Sequence, residues 1–246
     1  HPREAERSVH FAYEMVSLST ATARQLGFLD ESDDGESASL EMSGRKGIGV
    51  KADDLLDQLE AKSREEVLAR NRDLDGDELD RLATGIATAA LRFFMAKATT
   101  NRVIAFDFDE ALNFEGESGP YLLYSLVRAG NIGRRLAEEG LPTEVTAEEA
   151  AALPAELWTD DLWELVFSAA QTAGRVRTAG ETLEISLLAR HALELAQTFN
   201  ALYHRHPILQ EKDPAVRATR LATTQVFAAA MRTVCDLLGL PVPSRM

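Results

Sequence analysis

Cysteine is nearly absent from this sequence of 246 residues. The single Cys235 cannot form an internal disulfide, which suits a reducing compartment such as the cytoplasm. Long apolar runs are also absent, since none approaches the roughly 18–20 residues that a membrane-spanning helix needs. The polar start, HPREAERSVHF, lacks an initiator methionine and the pattern of a signal peptide. We therefore expect a piece of a longer, cytoplasmic protein.

Positive charge is scarce as well. The chain contains 26 Lys and Arg against 40 Asp and Glu, and its net charge of −14 argues against a general nucleic-acid coat protein. The imbalance is concentrated in residues 30–80, which hold 17 acidic and 7 basic side chains. Residues 170–246 hold 9 basic and 6 acidic side chains. The C-terminal third is therefore mildly basic and permits local contacts with phosphates.

Hydrophobic periodicity indicates a chain that is mostly helical. One short strand is predicted in VIAFDF, at 103–108. The last helix has a clear start at Asp213-Pro214 and a clear stop at Gly239. The other expected segments are a helix from 52, a helix over 78–99, a helix over 121–139, a linker over 140–154, and helices over 157–175 and 181–206.

Two aspartates follow the predicted strand. An Asp-x-Asp pair at a strand end is how one class of phosphatase places its nucleophile and its general acid. That class needs a glycine and a small residue next, whereas Glu110 and Ala111 follow Asp109 here. A second carboxylate at this point would repel phosphate, and no parallel strand is predicted downstream. We therefore interpret the pair as solvated or helix-capping acids.

Two further motifs offer ligands for metal ions, and neither has the spacing of an established site. The stretch DLDGD at 73–77 resembles the start of a calcium loop, but Gly76 falls at loop position four instead of six, and position twelve is Thr84. His204 and His206 lack a third ligand nearby. We expect an acidic turn at the first motif and no metal ion at either.

A glycine-rich loop, EMSGRKGIGV, occupies residues 41–50 ahead of the first long helix. Its adjacent cations, Arg45 and Lys46, lie between glycines that let the backbone approach a phosphate closely. Such cations can stabilise charge that develops on a phosphate during reaction. Taken alone, the motif is short, and a basic turn on an acidic surface is the simpler interpretation.

The order of several motifs resembles arginyl-tRNA synthetases, a family of class I aminoacyl-tRNA synthetases. The longest match is 90–132, with LRFF, NRVIAFDFDEAL, FEGESGPY and RAGNI. Residues 41–59 resemble the signature loop of the family, and residues 8–18 resemble the segment after the fourth strand of its nucleotide fold. LELAQTFNALYHRHP, RATRLA and the ending LLGLPVPSRM resemble its anticodon-binding domain. One departure is Leu123, where the family commonly has glutamine.

The resemblance implies a mainly α fold in two parts. Residues 1–115 would form the end of a Rossmann-type class I synthetase catalytic domain, and residues 116–246 an all-helical anticodon-binding bundle. The implied reaction is the ATP-dependent attachment of arginine to its tRNA, with Mg²⁺ accompanying ATP. Because the family's histidine motif for ATP and its arginine pocket are missing from this sequence, we expect the chain alone to be inactive. We also expect a monomer whose partners are arginine tRNA, arginine and ATP.

The resemblance also implies roles for the glycine-rich loop, which closes on ATP in the family. Lys46 would contact the leaving pyrophosphate, Arg45 would assist it, and Ser43 would orient the loop. The remaining implied ATP-site residues are Met42, Gly44 and Gly47.

The C-terminal helices supply the candidate contacts with RNA. Asn200 and Tyr203 border an apolar stripe that we predict as core, and Tyr203 either stacks an unpaired base or packs within the bundle. Arg217 and Arg220 lie on another helical stripe that suits phosphates. The resemblance places Met246 near the anticodon loop. The predicted core stripe consists of Leu188, Ala192, Leu195, Phe199 and Leu202.

Two functions are consistent with these motifs. The first is the C-terminal part of an arginine–tRNA ligase. The alternative is a stand-alone RNA-binding or regulatory module derived from a synthetase. The MSGRKG loop favours the first, because a module that only binds RNA has no use for a loop that closes on a triphosphate.

Overall fold

Helices make up most of the residues that the structure describes, which confirms the mainly α fold. The computed structural model describes residues 2–29, 39–40, 51–71 and 74–246. Within these ranges, no helix has the combination of length and apolar character that crossing a bilayer requires. The elements are, in chain order, α1 (Pro2–Arg7), β1 (Val16–Ser19), α2 (Thr20–Gln25), β2 (Ser39–Leu40), α3 (Ala52–Arg70), α4 (Gly76–Lys97), β3 (Ile104–Phe106), α5 (Phe108–Ala111), α6 (Gly119–Glu138), α7 (Ala147–Ala152), a 3-10 turn (Ala155–Leu157), α8 (Asp160–Ala170), α9 (Thr172–Thr182), α10 (Ser186–Arg205) and α11 (Pro214–Leu238).

The three strands form a small sheet in the order β2-β1-β3. β1 and β3 run parallel, with Val16 opposite Ile104 and Leu18 opposite Phe106. Parallel neighbours need a long crossover, and here the crossover contains α2, α3 and α4. A parallel pair with a helical crossover is the connection that a Rossmann-type sheet uses, and the assignment of this part to the end of such a domain stays a prediction.

The carboxyl ends of β1 and β3 are joined by hydrogen bonds that cap two helices. The Ser19 hydroxyl accepts from the Thr22 N–H at 3.0 Å, which caps α2, and donates to Asp107 Oδ2 at 2.6 Å. Asp107 Oδ1 accepts from the Glu110 N–H at 2.9 Å, which caps α5. The Thr22 hydroxyl in turn accepts from the Phe108 N–H at 3.0 Å. The first acid of the Asp-x-Asp pair is therefore a helix cap, as predicted.

Two other acids of these motifs also have structural contacts. Asp109 is exposed and lies 3.8 Å from Lys62 Nζ. Asp75 caps α4, because its Oδ1 accepts from the Glu78 N–H at 2.8 Å. Asp73 lies outside the described residues.

The two parts of the fold meet where α6 begins against α4. The Ser118 hydroxyl accepts from the Tyr121 N–H at 3.2 Å and caps α6, and Pro120 occupies the first turn. A Cβ on Gly119 would lie 2.2 Å from the carbonyl oxygen of Ala89, so only glycine permits this approach of the two helices. The contact sets the position of α6, which carries part of the site described below.

The C-terminal bundle is built from α6, α8, α9, α10 and α11. Phe199 of α10 stacks on Phe227 of α11, with ring centroids 4.1 Å apart and planes inclined by 4°. Leu123, the departure from the family pattern, is fully buried and belongs to the same core. The predicted core stripe is confirmed, since each of its members is buried: Leu188, Ala192, Leu195, Phe199 and Leu202.

The predicted helix boundaries between 157 and 206 are wrong. The segment predicted as one helix over 157–175 contains α8 and the start of α9, which meet at Gln171. The predicted break before 181 is absent, because α9 continues through Gly180. The break lies instead at Leu183, whose φ of 57° places it in the left-handed region. This conformation ends α9 and brings the N–H of Glu184 to the carbonyl of Ala179 at 3.2 Å.

The predicted linker over 140–154 contains the short helix α7. Its start is fixed by a capping box, in which the Thr146 hydroxyl accepts from the Glu149 N–H at 3.2 Å and the Glu149 carboxylate accepts from the Thr146 N–H at 2.8 Å. The segment is held to the bundle because Gln225 Oε1 accepts from the Val145 N–H at 3.0 Å.

Candidate nucleic-acid interface

Helices α6 and α10 bring a cation and two aromatic rings together. Tyr124 and Arg128 are four residues apart on α6 and therefore share one face. Tyr203 projects from α10. The guanidinium carbon of Arg128 lies 4.7 Å from the centroid of the Tyr124 ring and 4.9 Å from that of the Tyr203 ring. The guanidinium is thus held by two cation–π contacts at once.

Asn200 fixes the orientation of this cation. Its Oδ1 accepts from Arg128 Nη1 at 2.7 Å, and its Nδ2 donates to Ser125 Oγ at 2.8 Å. The Ser125 hydroxyl donates onward to the carbonyl of Tyr121 at 2.8 Å. Asn200 is only 9% exposed. These contacts suit a residue that orients Arg128, and the predicted contact of Asn200 with RNA stays a prediction.

A cavity of about 180 Å³ lies beside the cation and is lined by Tyr124, Arg128, Tyr203 and Met246. This is the volume of roughly six water molecules, which suits a flat heterocycle. Asn131 also lines the cavity. Its Oδ1 is buried and accepts no hydrogen bond from the described part of the chain. The site therefore offers a stacking face, a cation and a buried acceptor that has no hydrogen-bond partner among the described residues.

A second cavity, of about 450 Å³, shares Tyr124, Arg128 and Met246 with the first. It extends toward Arg70, the last residue of α3, whose guanidinium carbon lies 4.4 Å from the centroid of the Phe114 ring. The interface therefore reaches from the bundle to the helix that follows the glycine-rich loop.

The electrostatics of this surface differ from those of the whole chain. Arg128 and Arg135 both line the smaller cavity, and neither forms a salt bridge within residues 2–29, 51–71 and 74–246. In a chain of net charge −14, two arginines without an acidic partner mark a surface suited to an anionic ligand.

Arg217 and Arg220 hold the segment that precedes α11. Arg217 Nη1 donates to the carbonyl of Glu211 at 2.8 Å, and Arg220 Nη1 donates to the carbonyl of Pro207 at 2.7 Å. Arg220 also pairs with Glu211 Oε2 at 2.9 Å. The carboxylate of Glu211 accepts from the Asp213 N–H as well, and this bond, with Arg220, lowers its pKa. Both arginines therefore have intramolecular partners, and their contact with phosphates stays a prediction.

The described residues contain no group of three His, Cys, Asp or Glu side chains placed to hold a metal ion. His206 Nε2 lies 3.1 Å from Asp161 Oδ2, and this hydrogen bond lowers the pKa of Asp161. His204 packs edge-on against Tyr203, with ring centroids 5.9 Å apart. Each histidine of the pair thus has a separate structural contact.

The glycine-rich loop lies outside the described residues, and with it the whole set of implied ATP contacts. The set comprises Met42, Ser43, Gly44, Arg45, Lys46 and Gly47.

Sequence reasoning assigned no role to Tyr124 or Arg128. Their spacing of one helical turn in YSLVR was a readable signal, because a tyrosine and an arginine four residues apart meet on a helix surface. The sequence did predict Tyr203 and Met246 as candidate RNA contacts, and both line the smaller cavity.

Comparison with known proteins agrees with this arrangement. The DALR anticodon binding domain family matches residues 122–246, half of the chain. The arginine–tRNA ligase of Ignicoccus hospitalis is 33% identical over 242 residues, 98% of this chain and 34% of that protein. The arginine–tRNA ligase of Thermococcus kodakarensis is 32% identical over 206 residues, 83% of this chain and 32% of that protein. The Thermus thermophilus arginyl-tRNA synthetase structure matches all of this chain and 37% of its own, with a TM-score of 0.78 and 28% identity.

The chain spans about a third of the length of the curated relatives it matches. The family match covers the helices that carry Tyr124, Arg128 and Tyr203. The chain therefore belongs to the DALR anticodon binding domain family, and the relatives that it matches are arginyl-tRNA synthetases.

Proposed function

We propose that this chain is the RNA-recognising part of an arginine–tRNA ligase, which attaches arginine to its tRNA at the expense of ATP. The observation that carries the proposal is the guanidinium of Arg128 between the rings of Tyr124 and Tyr203, beside an open cavity. Unpaired bases of RNA stack on aromatic and guanidinium planes, and phosphates pair with arginine. The names of the relatives support the same assignment.

In this proposal a base of the anticodon loop enters the smaller cavity. Tyr203 supplies the stacking face, Met246 closes the apolar side, and Asn131 Oδ1 accepts a hydrogen bond from a base amino group. Arg128 and Arg135 bind the neighbouring phosphates. Asn200 acts through Arg128, whose guanidinium it orients at 2.7 Å.

The catalytic contribution is the loop over 41–50, which leads into α3. We propose that Lys46 and Arg45 stabilise the pyrophosphate leaving ATP, that Ser43 orients the loop, and that Mg²⁺ arrives with the nucleotide. Met42, Gly44 and Gly47 would complete the contact with ATP. The working protein is proposed to be a cytoplasmic monomer, divided near residue 115 into a catalytic part and a helical anticodon-binding part.

The test is a titration of the chain with arginine tRNA that carries its own or an altered anticodon. Tyr203→Ala should weaken binding of the matched tRNA by about 1–3 kcal/mol, the usual worth of one stacked base, with little change in the salt dependence. The matched control is Tyr13→Ala, which removes a tyrosine that is 77% exposed and distant in sequence from the cavity. If changing the anticodon leaves the affinity of the wild type unaltered, the cavity does not read it and the proposal is wrong.

A second measurement separates a ligase part from a stand-alone module. The 246-residue chain should not catalyse arginine-dependent exchange of pyrophosphate into ATP, because the family's motifs for ATP and arginine are missing from it. A longer polypeptide that includes those motifs should catalyse this exchange, and Lys46→Ala should abolish it. No exchange by the longer polypeptide would favour a binding module, whereas unchanged exchange in the Lys46→Ala protein would contradict the proposed role of Lys46.

A further inference from the structure

The last residues of the chain lie along α4. Arg92 Nη1 of α4 donates to the carbonyl of Gly239 at 3.0 Å. At the other end of the same helix, Glu78 Oε2 accepts from Arg245 Nη2 at 2.8 Å. Between these points Pro241 faces Gly85, where a Cβ would lie 3.9 Å from its ring. We call residues 239–245 the C-terminal strap.

The strap is long enough to follow most of α4. Arg92 and Glu78 are fourteen residues apart on one helix, a distance of about 21 Å at 1.5 Å per residue. Gly239 and Arg245 are six residues apart, and a fully extended chain of that length spans about 20–22 Å. An extended strap can therefore reach from one anchor to the other, and the pair with Glu78 holds its C-terminal end against α4.

The free end of the strap is part of the RNA site. Met246 follows Arg245 directly and lines both cavities. Arg134 of α6 makes a further contact, since its Nη2 donates to the carbonyl of Ser244 at 3.2 Å. The residues before Met246 are thus held from two helices, by Arg134 of α6 and by Glu78 of α4.

We propose that Arg245 and Glu78 are positioning residues for RNA recognition. Their ion pair keeps the strap extended, so that Met246 is held in the cavity beside Tyr203. The inference rests on the proposed function and extends it. It assigns the placement of Met246, one wall of the RNA site, to Glu78 of α4. Both side chains of the pair are 40% exposed, so the pair contributes little to global stability and its loss should leave the fold intact.

The experiment uses Arg245→Gln, Glu78→Gln and the charge-swapped double variant Glu78→Arg with Arg245→Glu. The matched control is Arg81→Gln on α4, which removes a guanidinium of the same helix that donates to the carbonyl of Asp77 at 3.2 Å and, within the described part of the chain, forms no ion pair with the strap. The first readout is the NMR signal of the Met246 methyl group in the free protein, which the neighbouring aromatic rings shift. The second is the ratio of affinities for arginine tRNA with matched and altered anticodons.

Each single variant should move the Met246 methyl signal toward the value of a solvated methionine and lower the affinity ratio several-fold. The swapped variant should restore both, and Arg81→Gln should change neither. Arg245→Gln added to Met246→Ala should have no further effect on the ratio, because both act through the same side chain. Equal stability of the variants in urea distinguishes a positioning role from a structural one.

The proposal is overturned if the methyl signal stays in place, or if it moves while the affinity ratio is unchanged. In those cases the proposed function still stands, provided that wild-type binding depends on the anticodon and Tyr203→Ala weakens it. If the wild type shows no dependence on the anticodon, both proposals are overturned together.

Discussion

The close backbone contact at the start of α6 makes Gly119→Ala a severe test of the packing between α4 and α6. The added Cβ would lie 2.2 Å from the carbonyl oxygen and 2.5 Å from the carbonyl carbon of Ala89. Both are backbone atoms of a buried helix, so no flexible side chain can move aside. The two helices must instead separate locally by about 1 Å to reach ordinary contact distance, and such overpacking costs typically 1–3 kcal/mol.

The same helix offers a matched control. Gly130 is an exposed residue of α6, and a Cβ there would meet no atom within 4 Å. Gly130→Ala should therefore stabilise the protein by about 0.5–1 kcal/mol, since alanine loses less backbone entropy than glycine in a helix. The same substitution at two positions of α6 should therefore change the free energy of unfolding in opposite directions. The two variants should differ in that free energy by about 1.5–4 kcal/mol.

Thermal melts followed by circular dichroism measure this gap. A change of 1 kcal/mol shifts the Tm of a domain of this size by about 2–4 °C, so the two variants should melt roughly 3–16 °C apart. A Gly119→Ala protein that melts at or above the wild type would refute the reasoning, because α6 would then have no need of glycine at its start.

Three further predictions concern Cys235, the Asp-x-Asp pair and His191. Burial raises the pKa of Cys235 to about 12, so a thiol reagent should label it in urea but not in the native protein, and rapid native labelling would contradict its burial. Asp107→Ala should cost about 1–2 kcal/mol in urea unfolding through lost caps, whereas Asp109→Ala, its exposed neighbour, should stay within about 0.5 kcal/mol of the wild type; equal effects would contradict the capping assignment. Burial lowers the pKa of His191, so its contribution to stability is complete above the unfolded pKa of about 6.5 and is lost as the pH falls below it. The Tm should therefore drop as the pH falls below about 6.5, and His191→Gln should flatten that drop; an unchanged slope in the variant would exclude His191 as its source.

Most of the fold could be predicted from local features of the sequence, such as helix caps and stops. The last helix runs over Pro214–Leu238, as the Asp213 cap and the stop at Gly239 predict, because caps depend on adjacent residues. The break at Leu183 has no such signal, since a leucine in the left-handed region is held there by the packing of α9 against α10. The capping box at Thr146 was readable in the sequence, but the prolines on either side favoured a linker.

The site was predictable only where one helix determines it. The edge of the α10 stripe drew attention to Tyr203, which lines the smaller cavity, and its stacking on a base stays a prediction. Arg128 escaped notice because its orientation depends on Asn200, which is 72 residues away in sequence. Periodicity likewise grouped Arg217 and Arg220, but it contains no information on the segment over 207–211 that folds back onto them.

The hydrogen bonds between the ends of β1 and β3 have a consequence for local opening of the protein. Each strand end supplies an acceptor for the other: Asp107 holds the Ser19 hydroxyl that caps α2, and the Thr22 hydroxyl binds the N–H of Phe108. Neither helix start can fray without releasing the other. The amide protons of Thr22, Phe108 and Glu110 should therefore exchange with solvent as one cooperative unit, at a common opening free energy, although they are separated by more than eighty residues of chain.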